Sequence, residues 1–137
     1  MSLSIMTEET KMNTALAIDA YSKNKRETIS QEHLGHEVIS AALNQLKTNL
    51  HILFSSDERK NRIKAFDQSL LTIYFLQKGL DLSRNGDLEK SLFRLYEFCR
   101  LKVVENDVDN CRGSAEIKNC LNFISEINDS WTVIKNV

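Results

Sequence analysis

Two histidines in the stretch EHLGHE (32–37) come nearest to the residue types of a metal site. His33 and His36 lie three positions apart, with Glu32 and Glu37 beside them. Zinc proteases need histidines four apart in HExxH, and di-iron bundles need a histidine three residues after a glutamate. Neither glutamate here has a histidine three residues later. We therefore expect a solvated first turn of a helix, and a metal-dependent bundle enzyme centred on His33 and His36 is kept as an alternative.

No other motif in the chain is typical of catalysis. The sequence lacks GxSxG, the P-loop and GxGxxG, and its acidic residues are scattered among lysines and arginines. Four basic residues gather at Arg59, Lys60, Arg62 and Lys64 without interleaved aromatic residues. This pattern favours a solvated helix face over a phosphate-binding track. We expect no enzyme activity, no cofactor, no metal and no nucleic-acid partner.

The three cysteines are Cys99, Cys111 and Cys120. Their number is odd and no two form a CxxC pair, which is typical of reduced thiols in a cytosolic protein rather than of a disulfide framework. Cys99 and Cys120 fall on predicted apolar stripes, where a free cysteine acts as a small hydrophobic residue. We predict that both are structural.

The spacing of apolar residues predicts helices, and the chain has no proline and only four glycines. Ser30 is the expected N-cap of the first helix, and Ser55 with Glu58 has the spacing of a capping box for the second. The turn signal in SRNGD (83–87) ends the second helix. The apolar stripes of these helices are Leu34, Val38, Ala41, Ala42, Leu46, Leu50 and Leu53, and then Ile63, Phe66, Leu70, Ile73 and Leu80.

Two further helices have regular apolar stripes. They are Leu88, Leu92, Leu95, Tyr96, Cys99 and Val103, and then Ile117, Leu121, Ile124, Ile127 or Asn128, Trp131 and Ile134. Tyr96 and Trp131 are expected in the core, where large aromatic side chains are usually buried. The fourth helix begins either at a cap on Asn106 and Asp107 or, after a loop, at a cap on Ser114.

Four amphipathic helices with short links predict an all-α, antiparallel four-helix bundle over residues 29–137, with a short N-terminal helix or arm over residues 1–28. The hydrophobic fraction of 42% and charged fraction of 27% are those of a soluble globular domain, and a net charge of −1 attracts neither nucleic acid nor anionic membrane. The start resembles no secretory signal, and the apolar run at 69–76 is too short to span a membrane. We expect a cytoplasmic protein with no membrane insertion.

The second and third helices carry more apolar residues than one face can hold. Phe98 and Leu101 fall opposite the buried stripe of the third helix, and Leu71, Phe75 and Leu82 fall opposite that of the second. Contiguous exposed apolar patches tend to be interaction sites. We therefore predict partner binding here, by an amphipathic helix, by another copy of the protein or by the chain's own N-terminal arm.

Several short motifs, in order, are similar to those of the FliS family of flagellar export chaperones. They are AYSKN (20–24), Ser30-x-x-x-Leu34, NGDLEKSLFRLYEF (85–98), NDVD (106–109) and a late Trp131. The likeness covers roughly residues 15–134. The chain departs from the family pattern at Gln31, where the family has proline, and at Asn85, where it has glycine.

The resemblance implies a cytosolic bundle that binds the disordered C-terminal segment of flagellin, prevents premature polymerisation and delivers flagellin to the export apparatus. The outer residues Leu71, Phe75, Leu82, Phe98 and Leu101 are then expected to form the floor of a client groove. A component of the export gate is a further partner that this family implies. The free protein is expected to be a monomer or a weak homodimer.

The N-terminal arm bears on the same groove through Leu16 and Tyr21. In a flagellin chaperone these residues either cover part of the groove in the free protein or clasp the client. The sequence leaves both arrangements open.

Overall fold

A computed structural model describes residues 32–80 and 86–135 of the chain. Those residues form four helices and no strand: α1 (Glu32–Ser55), α2 (Arg59–Lys78), α3 (Asp87–Asn110) and α4 (Ala115–Lys135). The predicted arm over 1–28, with Leu16 and Tyr21, lies outside the described residues. So do the predicted N-cap Ser30 and the groove residue Leu82.

The four helices pack as an all-α, antiparallel bundle, as predicted. α1 packs extensively against both α2 and α4, and α2 also packs along α3. The contact between α3 and α4 is much smaller than these three. Each helix therefore has one outward face, and the outward faces of α2 and α3 lie side by side.

The core consists of large aliphatic residues with three cysteines and a few aromatic residues. The largest fully buried side chains include Leu43, Leu46, Leu50, Leu53, Ile73, Leu76, Cys99, Val103, Cys111, Ile117 and Ile124. Each large aliphatic side chain contributes about 1.5–3 kcal/mol on burial, which makes this cluster the main source of stability. The predicted stripe of α3 is buried throughout, and Tyr96 and Trp131 are both core residues, as predicted.

In α1 the buried face is turned slightly from the predicted one. Leu43 is fully buried, although the predicted stripe omitted it, whereas Val38 and Ala41 are exposed. Eight residues separate Val38 from Leu46, which turns Val38 by about 80° away from the centre of the buried face. The predicted stripe was therefore wrong at Val38 and Ala41, and the side chain of Leu34 lies outside the described residues.

The buried face of α2 differs more from the prediction. Its buried residues are Arg62, Ala65, Ser69, Thr72, Ile73 and Leu76. Phe66, Leu70 and Leu80 lie at the margin of the core, and Ile63 is exposed. The predicted stripe is therefore rotated from the buried face: Ile73 is fully buried, as predicted, whereas the small residues Ala65, Ser69 and Thr72 occupy buried positions that counting large apolar residues overlooked.

The predicted capping box between Ser55 and Glu58 does not form. Ser55 ends α1, and its hydroxyl donates a 2.7 Å hydrogen bond to the carbonyl of His51. Glu58 is itself the N-cap of α2, and its side chain makes no capping hydrogen bond. α2 begins at Arg59, three residues later than a capping box on Ser55 requires, and Ser55 belongs to the preceding helix.

α3 ends in a kink, and α4 begins only after it. Asp107 has φ 61° and ψ 173°, a conformation that is nearly exclusive to glycine, and its carboxylate accepts a 2.7 Å hydrogen bond from the amide of Val108. The hydroxyl of Ser114 accepts a 3.3 Å hydrogen bond from the amide of Ile117, which is the geometry of an N-cap. Of the two predicted starts of the fourth helix, the later one is correct.

Arg62 ties the two links at this end of the bundle together. Its buried guanidinium donates to the carbonyl of Val108 at 3.1 Å and to the carbonyl of Ser56 at 2.9 Å. The amide of Gly113 also donates to the carbonyl of Phe54 at 2.8 Å. The predicted solvated face is therefore wrong for Arg62, which is a buried structural residue.

Candidate partner-binding surface

The histidine cluster predicted as a solvated turn contains a buried residue. His36 is 6% exposed, and its ring stacks on that of Trp131 with a centroid distance of 5.0 Å. Its Nε2 lies 3.0 Å from the carbonyl of Trp131. Among the side chains that the structure describes, at 35–80 and 86–133, no three histidine, cysteine or acidic residues are placed to hold a metal, and the side chains of Glu32 and His33 lie outside them. His36 thus serves the packing between α1 and α4, which corrects the solvated reading.

The cysteines are unsuited to nucleophilic chemistry. Cys99, Cys111 and Cys120 are all buried free thiols, as predicted for Cys99 and Cys120. Burial raises the pKa of Cys111 to about 11. The pKa of Cys99 is raised by a hydrogen bond with the Cys120 thiol and by burial. Since the thiolate is the reactive form, these thiols are inert in the folded protein.

The outward face of α2 is apolar in its second half. Leu71 is 61% exposed and Tyr74 58% exposed, and Phe75 is also exposed. Tyr74 and Phe75 are three and four residues after Leu71, so the three side chains are neighbours on the helix surface. These residues form one continuous apolar patch.

The outward face of α3 extends this patch. Leu101 and Val104 are both exposed and lie three residues apart. The amide of Gln77 donates to the carboxylate of Glu97 at 3.2 Å, which fixes how α2 and α3 are aligned.

This hydrogen bond places Tyr74 and Leu101 at the same level along the two helices. Tyr74 precedes Gln77 by three residues and Leu101 follows Glu97 by four, and the two helices are antiparallel. Measured along the helix axes, both side chains therefore lie about one turn from the Gln77–Glu97 hydrogen bond, on the same side of it. We define the α2–α3 surface as Leu71, Tyr74, Phe75, Leu101 and Val104.

Phe98 has a different position from the other predicted groove residues. It is half-buried against the core, and the ammonium of Lys102 lies 5.3 Å from the centre of its ring. Lys102 in turn contacts Glu116 of α4 at 2.9 Å. Phe98 therefore lies on the side of α3 that faces α4, at the margin of the α2–α3 surface and apart from Phe75.

Sequence reasoning named Leu71, Phe75 and Leu101 but not Tyr74 and Val104. Both missed residues are exposed. The 100° rotation per residue places Tyr74 about 60° from Leu71, which a helical wheel of α2 would have revealed. The role of all these residues in binding stays a prediction.

Charged groups border the apolar patch. The ammonium of Lys78 lies 5.5 Å from the centre of the Tyr74 ring, a cation–π contact. Arg100 binds the carboxylate of Glu97 through both of its oxygens, and this hydrogen bonding lowers the pKa of Glu97. The negative charge of Glu97 is thus balanced by Arg100 within the protein. The surface is suited to binding an amphipathic segment and has no grouping of side chains suited to catalysis among its described residues.

Comparison with known proteins gives one match. The family model described as "Flagellar protein FliS" matches residues 12–137. No curated protein and no solved structure matches the chain. In the described part of the chain, none of the helices has the length and apolarity that crossing a membrane requires.

Proposed function

Because the chain belongs to the FliS family of flagellar export chaperones, we propose that it binds the disordered C-terminal segment of flagellin in the cytoplasm. By occupying that segment, it prevents premature polymerisation and delivers flagellin to the export apparatus. It does this by binding alone, without catalysis or a cofactor. The observation that supports this proposal most is the exposed α2–α3 surface on a bundle whose core is otherwise well packed.

The physical basis is the burial of apolar side chains on both partners. A disordered segment loses conformational entropy when it is ordered, so it must bury many apolar contacts to bind. Leu71, Tyr74 and Phe75 offer a row of large side chains along α2, and Leu101 and Val104 widen it onto α3. An amphipathic client helix laid along the two helices would bury its own apolar face against all five.

The predicted groove residues outside this surface have secondary places in the proposal. Phe98 would contact a client only where the client segment extends towards α4. Leu82 is a proposed client contact because helical spacing predicts it on the outer stripe of the second helix, and Leu16 and Tyr21 are proposed on the basis of the family resemblance alone. An interaction with an export-gate component is proposed on the same basis.

The direct test is calorimetric titration of the protein with full-length flagellin and with flagellin lacking its C-terminal segment. We expect saturable binding of the full-length protein, no binding of the truncated one, and slower filament growth when the chaperone is in excess. Equal binding of both flagellins, or binding of neither, would reject the proposed client segment.

The alternative is a structural bundle that uses the α2–α3 surface for self-association. Exposed apolar residues favour this in the same way that they favour a client. Sedimentation velocity at several concentrations separates the two functions. A client chaperone is expected to be a monomer or a weak homodimer that dissociates on dilution, whereas a structural bundle forms a stable dimer without flagellin.

A further inference from the structure

Two lysines bracket the apolar patch along α2. Lys64, Leu71 and Lys78 are spaced seven residues apart and all three are exposed. A seven-residue step nearly completes two helical turns, so the three side chains point in almost the same direction. The lysines therefore stand about 10 Å on either side of Leu71 and about 21 Å from each other.

The neighbouring face of α3 is also basic. Arg94 and Lys90 precede Leu101 by seven and eleven residues, which places them on the same face of the helix, and both are exposed. Asp87 lies further along, in the first turn of α3, where free backbone N–H groups favour its carboxylate. A row of basic side chains thus extends from the apolar patch towards the start of α3.

These cations have few acidic neighbours. Glu97 is bound by Arg100, and Glu105 by Lys102 at 3.1 Å. Across the described ranges, none of Lys64, Lys78, Lys90 and Arg94 forms an ion pair with an acidic residue. Asp67 on α2 and Asp87 on α3 are exposed and likewise without an ion pair in those ranges, so two carboxylates stand beside four cations on this face.

We propose that the segment bound at the α2–α3 surface is apolar in its middle and carries acidic residues at both ends. A helical segment would need its two acidic ends about fourteen residues apart to reach Lys64 and Lys78. The inference rests on the proposed function, because it assigns a chemistry to the client segment that occupies this surface. The inference adds a requirement for acidic ends of the client segment to the requirement for an apolar middle.

The same charges disfavour a second copy of the chain as the occupant. In a two-fold symmetric dimer each protomer uses the same surface, so the basic border of one protomer would face the basic border of the other. Like charges opposed across an interface are unfavourable. An acidic partner instead removes this repulsion, and for that reason the surface fits a different chain.

The test uses three helical peptides that share one apolar centre and differ only in their ends, which carry glutamate, glutamine or lysine. Affinities are measured by fluorescence anisotropy at about 0.05 M and about 0.5 M salt, since salt screens exposed charges. We expect the glutamate peptide to bind about three- to tenfold more tightly than the glutamine peptide at low salt, and the lysine peptide most weakly. The difference should nearly vanish at high salt.

Matched variants of the protein assign the effect to the two lysines. The double variant Lys64→Glu/Lys78→Glu should reverse the order, so that the lysine peptide binds best. Lys47→Glu, on α1, makes the same change of charge away from the α2–α3 surface and should leave the order unchanged. Circular dichroism checks that each variant keeps its helices.

Two results would overturn the inference: equal affinity for the three peptides, including no binding of any, or an order that Lys64→Glu/Lys78→Glu leaves unchanged. The proposed function fails separately. If the peptides rank as expected while flagellin does not bind, the charge preference stands and the client assignment falls. If flagellin binds with an affinity that neither salt nor the double variant changes, the client assignment stands and the charge preference falls.

Discussion

His36 and Trp131 form a reciprocal pair that joins the start of α1 to the end of α4. The indole N–H of Trp131 donates to the carbonyl of His36 at 3.0 Å, and Nε2 of His36 lies 3.0 Å from the carbonyl of Trp131. A carbonyl only accepts, so Nε2 must bear the hydrogen. The rings stack with an angle of 12° between their planes. The pair thus joins α1 to α4 through two residues that are 95 positions apart in the chain.

Replacing Trp131 with phenylalanine should destabilise the bundle by about 1–3 kcal/mol, because the buried carbonyl of His36 loses its donor. Urea denaturation followed by circular dichroism measures the change. His36→Ala and the double variant complete a double-mutant cycle, which isolates the coupling between the two side chains. Additive effects of the two substitutions would contradict the reciprocal pair.

Arg62 should matter more than any basic residue on the surface of α2. Arg62→Met removes two hydrogen bonds from a buried guanidinium and leaves two carbonyls without these donors, so we expect a loss of about 2–4 kcal/mol. Arg59→Met is the matched control. Its ion pair with Asp109, at 2.8 Å, is exposed and screened by solvent, so its loss should change the stability much less. Equal losses in the free energy of unfolding would show that Arg62 does not connect the two links.

The kink at Asp107 predicts an unusual preference for glycine. Asp107→Gly and Asp107→Ala both remove the hydrogen bond to the amide of Val108, but only glycine relieves the strained backbone. The glycine variant should therefore be the more stable by about 1–3 kcal/mol in urea denaturation. At Glu105, inside the regular part of α3, the order should reverse and glycine should be worse than alanine by about 0.5–1 kcal/mol. The same order at both positions would contradict the kink.

The buried thiols predict an unusual dependence on pH. With its pKa raised to about 11, folded Cys111 is about 1% thiolate at pH 9, whereas an exposed thiol of pKa 9.0 is half thiolate. Because all three cysteines are buried, a thiol reagent should modify none of them rapidly at pH 8 in the native protein, and all three in guanidinium. Because the folded-state pKa is raised, Cys111 favours the folded state fully below pH 9, and this contribution is lost as pH rises towards 11. Rapid modification of the native protein at pH 8 would contradict this prediction.

The sequence predicted best those parts of the fold where large apolar residues alone make the core. The stripe of α3 from Leu88 to Val103 is one such case. The stripe of α2 was misplaced because its buried face includes Ala65 and Ser69, which are too small or too polar to stand out. Arg62 and His36 looked solvated because their partners are backbone carbonyls brought close only by folding. No local pattern of residues encodes such contacts.

The candidate surface was predictable in part for a similar reason. Helical geometry within α2 and α3 placed Leu71, Phe75 and Leu101 on outward faces. The common level of Tyr74 and Leu101 along the two helices depends on how the helices are aligned, which tertiary contacts set. The position of Phe98 beneath Lys102 depends on α4 in the same way. Patterns within one helix contain neither relationship.

The central claim is that flagellin's C-terminal segment binds at the α2–α3 surface, and one pair of variants tests it most directly. Leu71→Asp places a charge at the centre of the surface, whereas Val133→Asp makes the same kind of change on α4, where the valine is 65% exposed. In titrations with a peptide of that segment, we predict a loss of affinity of about 100-fold or more for Leu71→Asp, because binding would bury the new charge. Val133→Asp should change affinity by less than about twofold. Unchanged binding by a folded Leu71→Asp variant would contradict the account.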